Sequence, residues 1–218
     1  MSGLLPRVRL AALLLVSLGF AGCQTITPYD YTNFHEHPPR SILILPPLNQ
    51  STAVEATYSY LSTVTRPVAE RGYYVYPVAV IDRLLMENGM PSAGEMHQVP
   101  LAKVREITGA DAVLYPVVRQ YGTKFHLISS DTIVSVSARL VDTRTGTLIW
   151  EGEGVAERGS GQGQSLLADV IGALVTQVIA ANSDPARNLC RVANVQLFTT
   201  TTRGLPYGPY HPEAGKNP

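Results

Sequence analysis

The chain has 218 residues, 45% of them hydrophobic and 16% charged, with 17 basic and 17 acidic side chains. This composition excludes a disordered chain, a collagen, a coiled coil and a disulfide-rich miniprotein. The balanced charge argues against nucleic-acid binding, which needs a basic surplus, and two cysteines are too few for a disulfide framework.

The first predicted element is a targeting segment. Arg7 and Arg9 make a short positive stretch, and residues 10–20 are apolar, broken only by small side chains. That run is about half of the roughly 20 residues a spanning helix requires, so residues 1–22 are expected to be a signal peptide. No later stretch is long and apolar enough to span. Ala21 and Gly22 stand directly before Cys23, an order that resembles the lipobox of bacterial lipoproteins. The resemblance implies a diacylglyceryl group on the Cys23 thiol, cleavage before that residue and acylation of the new amine. Several acyl chains anchor a protein stably where one does so only marginally. Gln24, where an Asp often marks inner-membrane retention, implies the outer membrane of a Gram-negative bacterium, with the domain in the periplasm.

Residues 23–40 contain Pro28, Pro38, Pro39 and little periodicity. They read as a flexible lipid-anchored tether with a reach of at most ~60 Å. The folded domain is expected over residues 41–198. Residues 41–45 form a continuous apolar run, a strand buried on both faces, ended by Pro46 and Pro47. Val54, Tyr58, Leu61, Val64 and Val68 mark one face of a helix, with Pro67 interrupting it and Gly72 stopping it. Residues 73–76, Tyr-Tyr-Val-Tyr, read as a second strand, and the large, amphipathic tyrosines suit either a core or a protein interface. Val80, Leu84 and Leu85 give a short helix closed by Asn88 and Gly89. Residues 90–100 read as a loop, and Leu101, Val104 and Ile107 as another short helix with Gly109 as its C-cap.

A third strand begins at residues 112–115, with a bulge or edge expected at Pro116. Val134, Val136, Ala138 and Leu140 alternate with Ser135, Ser137 and Arg139, one buried face and one polar face. Asp142 and Gly146 supply turn chemistry, and residues 148–150 return as the partner strand. Beyond a glycine-rich loop (Gly159, Gly161, Gly163), a helix from about Ser165 carries Leu167, Val170, Ile171, Leu174, Val178 and Ile179. Asp184 and Pro185 open a last helix. Residues 199–218 read as an extended or disordered tail. The fold class is therefore α/β (α+β): a single domain with a mixed β-sheet, a C-terminal antiparallel hairpin and helices packed on the sheet.

Chemistry is sparse. The loop 159–163 lacks the dinucleotide-binding spacing and reads as a connector. His35 and His37 lack the further ligands a metal requires, and no catalytic set or cofactor is implied. Asp142, Arg144, Glu151 and Glu153 read as a solvated turn and strand face. Cys190 reads as a small buried hydrophobe, with an intermolecular disulfide as the alternative.

Two stretches carry a resemblance: residues 109–115, Gly-Ala-Asp-Ala-Val-Leu-Tyr, and residues 140–150, Leu-Val-Asp-Thr-Arg-Thr-Gly-Thr-Leu-Ile-Trp. They resemble periplasmic lipoprotein domains such as CsgG, LpoB and the TolB N-terminal domain. Gly109, Asp142, Gly146 and Trp150 are the structural residues of these motifs. With the lipobox and the Gly/Pro-rich tail, the chain is similar to small genome-derived-antigen-like lipoproteins of unassigned function, described as ABC-transport auxiliary components. The resemblance implies a non-enzymatic accessory in envelope assembly, secretion or transport. Its partners would be the bilayer through acylated Cys23, and other envelope proteins such as a CsgG-like lipoprotein or ABC-transporter components. A homo-oligomer is a further option. The alternative is a small-ligand-binding protein or envelope enzyme using the loop 159–163 or the hairpin face.

Overall fold

Fourteen-residue β4, Ala112–Phe125, is the strand on which the rest of the chain is assembled. The computed structural model describes residues 28–125, 130–159 and 185–216. Before β4 come α1 (Thr32–Glu36), β1 (Ser41–Ile44), β2 (Leu48–Asn49), α2 (Ala56–Glu70), β3 (Tyr74–Val75), α3 (Val78–Glu87), α4 (Ala93–Met96) and α5 (Leu101–Thr108). After it come β5 (Ser130–Asp142), β6 (Leu148–Gly159) and α6 (Pro185–Thr199). The strands form one mixed six-stranded sheet in the order β3-β1-β4-β5-β6, with β2 also paired to β4. β1 is parallel to β3 and β4, whereas β4, β5 and β6 are antiparallel. The chain is thus a single mixed α/β domain with helices packed on its sheet.

β1 has no polar side, because it is covered on both. Ile42 and Ile44 enter one core, Leu43 and Leu45 the other. The larger core lies under α2 and α6 and takes Ala112, Leu114 and Val118 of β4 with Val134, Val136, Ala138 and Leu140 of β5. The smaller lies under α3, α4 and α5 and takes Val113 with Ile81, Leu85, Met96 and Val104. Gly152 and Gly154 on β6 let α6 lie directly on the sheet. A Cβ at Gly154 would collide with the Ala193 carbonyl oxygen, and one at Gly152 would meet the Trp150 ring at 2.6 Å.

Several elements differ from the sequence reading for identifiable reasons. The β4 bulge falls between Val118 and Gln120, and Pro116 pairs in register with Ala138. The Leu114 and Val118 carbonyls accept from the Leu45 and Gln50 amides. Pro116, two residues from each, therefore directs its missing N–H to the same side, where Pro46 and Pro47 already separate β1 from β2. Pro67 lies in the last turn of α2, which continues to Glu70. The apolar stripe of α2 is Ala56, Tyr60, Val64 and Val68, while Val54 and Tyr58 are exposed. The expected loop 90–100 contains α4, started by a capping box between Ser92 and Glu95.

The chain ends differ most. Residues 28–40, expected in the tether, lie on the domain: Tyr31 and Phe34 are buried in the larger core, and Asn33 Nδ2 donates to the Leu148 carbonyl at 3.1 Å. The tail is irregular, with turns at 201–203 and 209–215, and it is docked. Leu205 is fully buried, and the Gly208 and Tyr210 amides donate to the Arg71 and Gly72 carbonyls. Apolar and aromatic side chains in both ends gain burial by packing, and that burial opposes the entropy of a loose chain. The helix expected from Ser165 lies outside the described residues.

Candidate functional site

Two concave surfaces stand out, lined by different elements. The first is an apolar groove of about 160 Å³ between α3 and α5. Its floor is Leu43 and Leu45 of β1, and its walls include Leu84, Leu85, Val104 and Ile107. The same two helices expose Val80 (61%) and Ile107 (45%). Both helices are short and amphipathic and begin just after prolines, Pro77 and Pro100. They therefore cover β1 without closing over it. Next to them, Tyr76 donates to the Thr108 carbonyl at 2.9 Å. In the edge strand β3, Tyr74 is 53% exposed while the preceding Tyr73 is buried. The tyrosine run thus serves both the core and the surface.

The second surface is an open cleft of about 490 Å³ where the two chain ends meet, lined by residues including Tyr29, Asp30, Tyr31, His35, Thr201 and Thr202. Tyr31 donates to the Gly204 carbonyl at 2.8 Å. The Tyr29 hydroxyl accepts the Glu151 amide at 3.1 Å, closing part of the free edge of β6. Arg203 stacks its guanidinium 4.7 Å from the Tyr29 ring centre, donates to the Glu151 carbonyl and pairs with the Glu151 carboxylate. Arg71 lies 4.3 Å from the Tyr207 ring centre and donates Nε to the Leu205 carbonyl. Among the described residues Arg71 has no carboxylate partner. Burial, then the neighbouring Tyr29, pushes the Tyr31 phenol up, while the charges of Arg71 and Arg203 pull it back. The Asp30 carboxyl is held low by the Thr32 hydroxyl and amide.

The two motifs of residues 109–115 and 140–150 meet each other. Gly109 ends α5 with φ +72° and Gly146 closes the β5–β6 turn with φ +75°. Asp142 accepts the Arg144 and Thr145 amides at 2.9 and 2.8 Å. Thr143 of that turn donates to the Ala110 carbonyl at 2.6 Å and receives Arg105. Asp111 accepts the Arg40 and Ser41 amides and the Ser41 hydroxyl, fixing the start of β1. Trp150 is fully buried, stacked on Phe198, with Nε1 donating to the Arg203 carbonyl. The arrangement is a hydrogen-bonded joint that holds the sheet.

Other candidates do not converge. Among the described residues no group of three metal-ligating side chains exists. His97 Nε2 donates to the Pro46 carbonyl at 2.8 Å, and burial keeps its ring below the usual imidazole range against that hydrogen bond. Glu151 and Glu153 pair with Arg203 and Arg119 rather than with each other. Cys190 is fully buried between α2 and α6, receiving Thr63 at 3.6 Å, which favours the hydrophobe reading over an intermolecular disulfide. Cys23, His126 and residues 160–163 of the glycine-rich loop lie outside the described residues. Among the described residues no helix is long and apolar enough to cross a membrane. The cleft between the chain ends was missed by the sequence reading. Its available signal was the close spacing of Tyr29, Tyr31 and Phe34, since aromatics are depleted in disordered tethers.

Residues 29–210 match the family described as "Putative lipoprotein GNA1162-like". A protein described as "Putative lipoprotein NMB1124/NMB1162", from Neisseria meningitidis serogroup B, is 38% identical over 196 residues, covering 88% of this chain and 91% of that protein. The crystal structure of lipoprotein GNA1162 from Neisseria meningitidis superposes with a TM-score of 0.56 at 42% identity, covering 66% of this chain and all of that one. The LpoB C-terminal domain from Salmonella enterica gives 0.39 at 17% identity, over 54% of this chain and 82% of that one. The chain belongs to the GNA1162-like lipoprotein family.

Proposed function

We propose that this member of the GNA1162-like lipoproteins is a non-enzymatic accessory of the cell envelope that acts by binding other envelope proteins. It is anchored through acylated Cys23 in the outer membrane, with its domain in the periplasm. The observation that carries the reading is the groove between α3 and α5. It exposes apolar side chains on two helices, and such patches on a soluble domain mark interaction sites. The occupant is an apolar segment of a partner protein. Following the resemblance described above, a CsgG-like lipoprotein or an ABC-transporter component is the partner class to test.

A photo-crosslinking residue placed at Ile107 in the full-length protein, in its own cells, tests this. A discrete adduct with an envelope protein is expected, and Leu84→Glu in the groove should abolish it while the circular dichroism spectrum is retained. An adduct untouched by Leu84→Glu, or none at all from a correctly folded protein, contradicts the reading. Intact mass of the mature N-terminus checks the anchor separately, since an unmodified chain starting elsewhere would refute lipidation at Cys23.

A further inference from the structure

The distance between the anchor and the folded body is set by where the chain becomes part of the domain. Tyr29 and Tyr31 are fixed by hydrogen bonds to Glu151 and Gly204, so the domain begins at about Pro28, on the rim of the cleft. Cys23 to Pro28 is five residue steps, a covalent reach of at most ~18 Å, in place of the ~60 Å of an eighteen-residue tether. The acyl chains place Cys23 at the level of the lipid headgroups. The cleft between the chain ends is therefore held beside those headgroups whenever the protein is anchored.

Its chemistry suits that position. Tyrosine combines an apolar ring with a polar tip and is enriched at membrane interfaces; Tyr29 and Tyr31 both line the cleft. Guanidinium groups bind phosphate through paired N–H donors. Arg203 is shared with Glu151, and the Asp30 carboxylate is turned onto Thr32. Arg71 is held in place by the Leu205 carbonyl and the Tyr207 ring, and its terminal amino groups make no hydrogen bond among the described residues. Among the described residues it makes no salt bridge, and it lies beside the cleft, against the tail segment Leu205–Tyr207.

We propose that the cleft lined by residues 28–32, His35, Thr201 and Thr202, with Arg71 and Arg203 beside it, is a membrane-docking surface, with the phosphate-bearing headgroups of the anchoring leaflet as its occupant. The proposal rests on the reading of Cys23 as the lipid anchor. Docking turns the cleft to the bilayer and points the far ends of β5 and β6 away from it.

The full-length acylated protein, extracted from cells and reconstituted into vesicles of phosphatidylethanolamine and phosphatidylglycerol, provides the test. A fluorophore is attached through Thr202→Cys, at the cleft, or through Glu157→Cys, six residues along β6 from Glu151 and so about 20 Å away. Both positions are exposed, while Cys190 is fully buried and Cys23 is capped. Headgroup-labelled quencher lipids should quench the probe at Thr202→Cys much more than at Glu157→Cys. Arg71→Gln should lower the ratio of quenched to unquenched protein about fivefold, the effect of one basic residue at an anionic surface, and Arg71→Lys should restore most of it. Equal quenching at the two positions, in vesicles shown by flotation and mass to hold the acylated protein, overturns the proposal alone. A chain that is not acylated and does not float overturns the anchor reading as well. A response of the Thr202→Cys probe to inorganic phosphate in detergent that matches its response to vesicles would assign the site to a soluble anion and overturn the membrane proposal.

Discussion

The two faces of the sheet are built from the same strands and end in different states. On the α2/α6 face the hydrophobic surface is continuous from β1 to β6 and is closed by Trp150, Phe198 and Tyr60, all essentially fully buried. On the α3–α5 face it extends only under β1 and the first half of β4. Beyond that, the outward side chains of β5 and β6 include Ser137, Arg139 and Glu153, partly or fully exposed. The lesson is that one face holds the domain together and the other is left available. A long helix lying close on a strand can exclude water over its whole length, whereas three short helices leave a groove where they part.

Truncation should separate the two faces most clearly. Trp150→Ala removes the ring stacked on Phe198 and should cost about 3–5 kcal/mol in urea unfolding. Val104→Ala on the thinner face should cost only about 1–2 kcal/mol. Equal losses would break the comparison. Next in size is Gly154→Ala, which forces a methyl group against the Ala193 carbonyl and should cost about 1–3 kcal/mol. The added methyl would push α6 off the sheet, visible as loss of the near-ultraviolet signal of Trp150.

A smaller effect is expected at the turn joining β5 and β6. Desolvation alone would push the Asp142 carboxyl up, but hydrogen bonds from Thr145 and Arg144, with the Arg144 charge, hold it below the ordinary 3.8. Its folded-state value is depressed, so the stability it contributes is present above pH 3.8 and is lost as the pH falls through the folded value below that. Thermal melting between pH 5 and pH 2 (about the range over which carboxylates titrate) should show that loss, and Asp142→Asn should flatten it. The smallest effect is Ile107→Ser on the groove rim, expected to shift stability by no more than about 0.5 kcal/mol while weakening partner capture.

The same division decides what could be read from the sequence. Strands covered on one side show alternation, so Val134 to Leu140 was legible, and β1, covered on both, showed as a continuous apolar run. The α3 and α5 helices were legible through period and through Gly89 and Gly109. The α2 stripe was legible at Leu61, Val64 and Val68 but not at its start, where the exposed Val54 and Tyr58 offer an apolar pattern that competes with Ala56 and Tyr60. Only tertiary packing selects between them. The cleft left only a faint trace, the close spacing of Tyr29, Tyr31 and Phe34, because its two halves, at residues 28–35 and 201–202, are each too short to signal an element. Asp111 was noticed within a motif, but its bonds to Arg40 and Ser41 depend on β1 lying beside β4.

The strap formed by residues 28–40 also sets an order of events. Tyr31 is bonded to a residue 173 positions later in the chain, so this contact cannot form until nearly all of the polypeptide is present. Contacts this distant in sequence are the slow ones in folding, because a long loop must close before they give any return. A chain that emerges on the far side of a membrane from its N-terminus offers Tyr31 early and Gly204 last. Once the tail arrives the strap shuts, and residues 28–40 become part of the folded body. Closure of the strap is thereby placed late in folding by one non-local hydrogen bond and the packing around it.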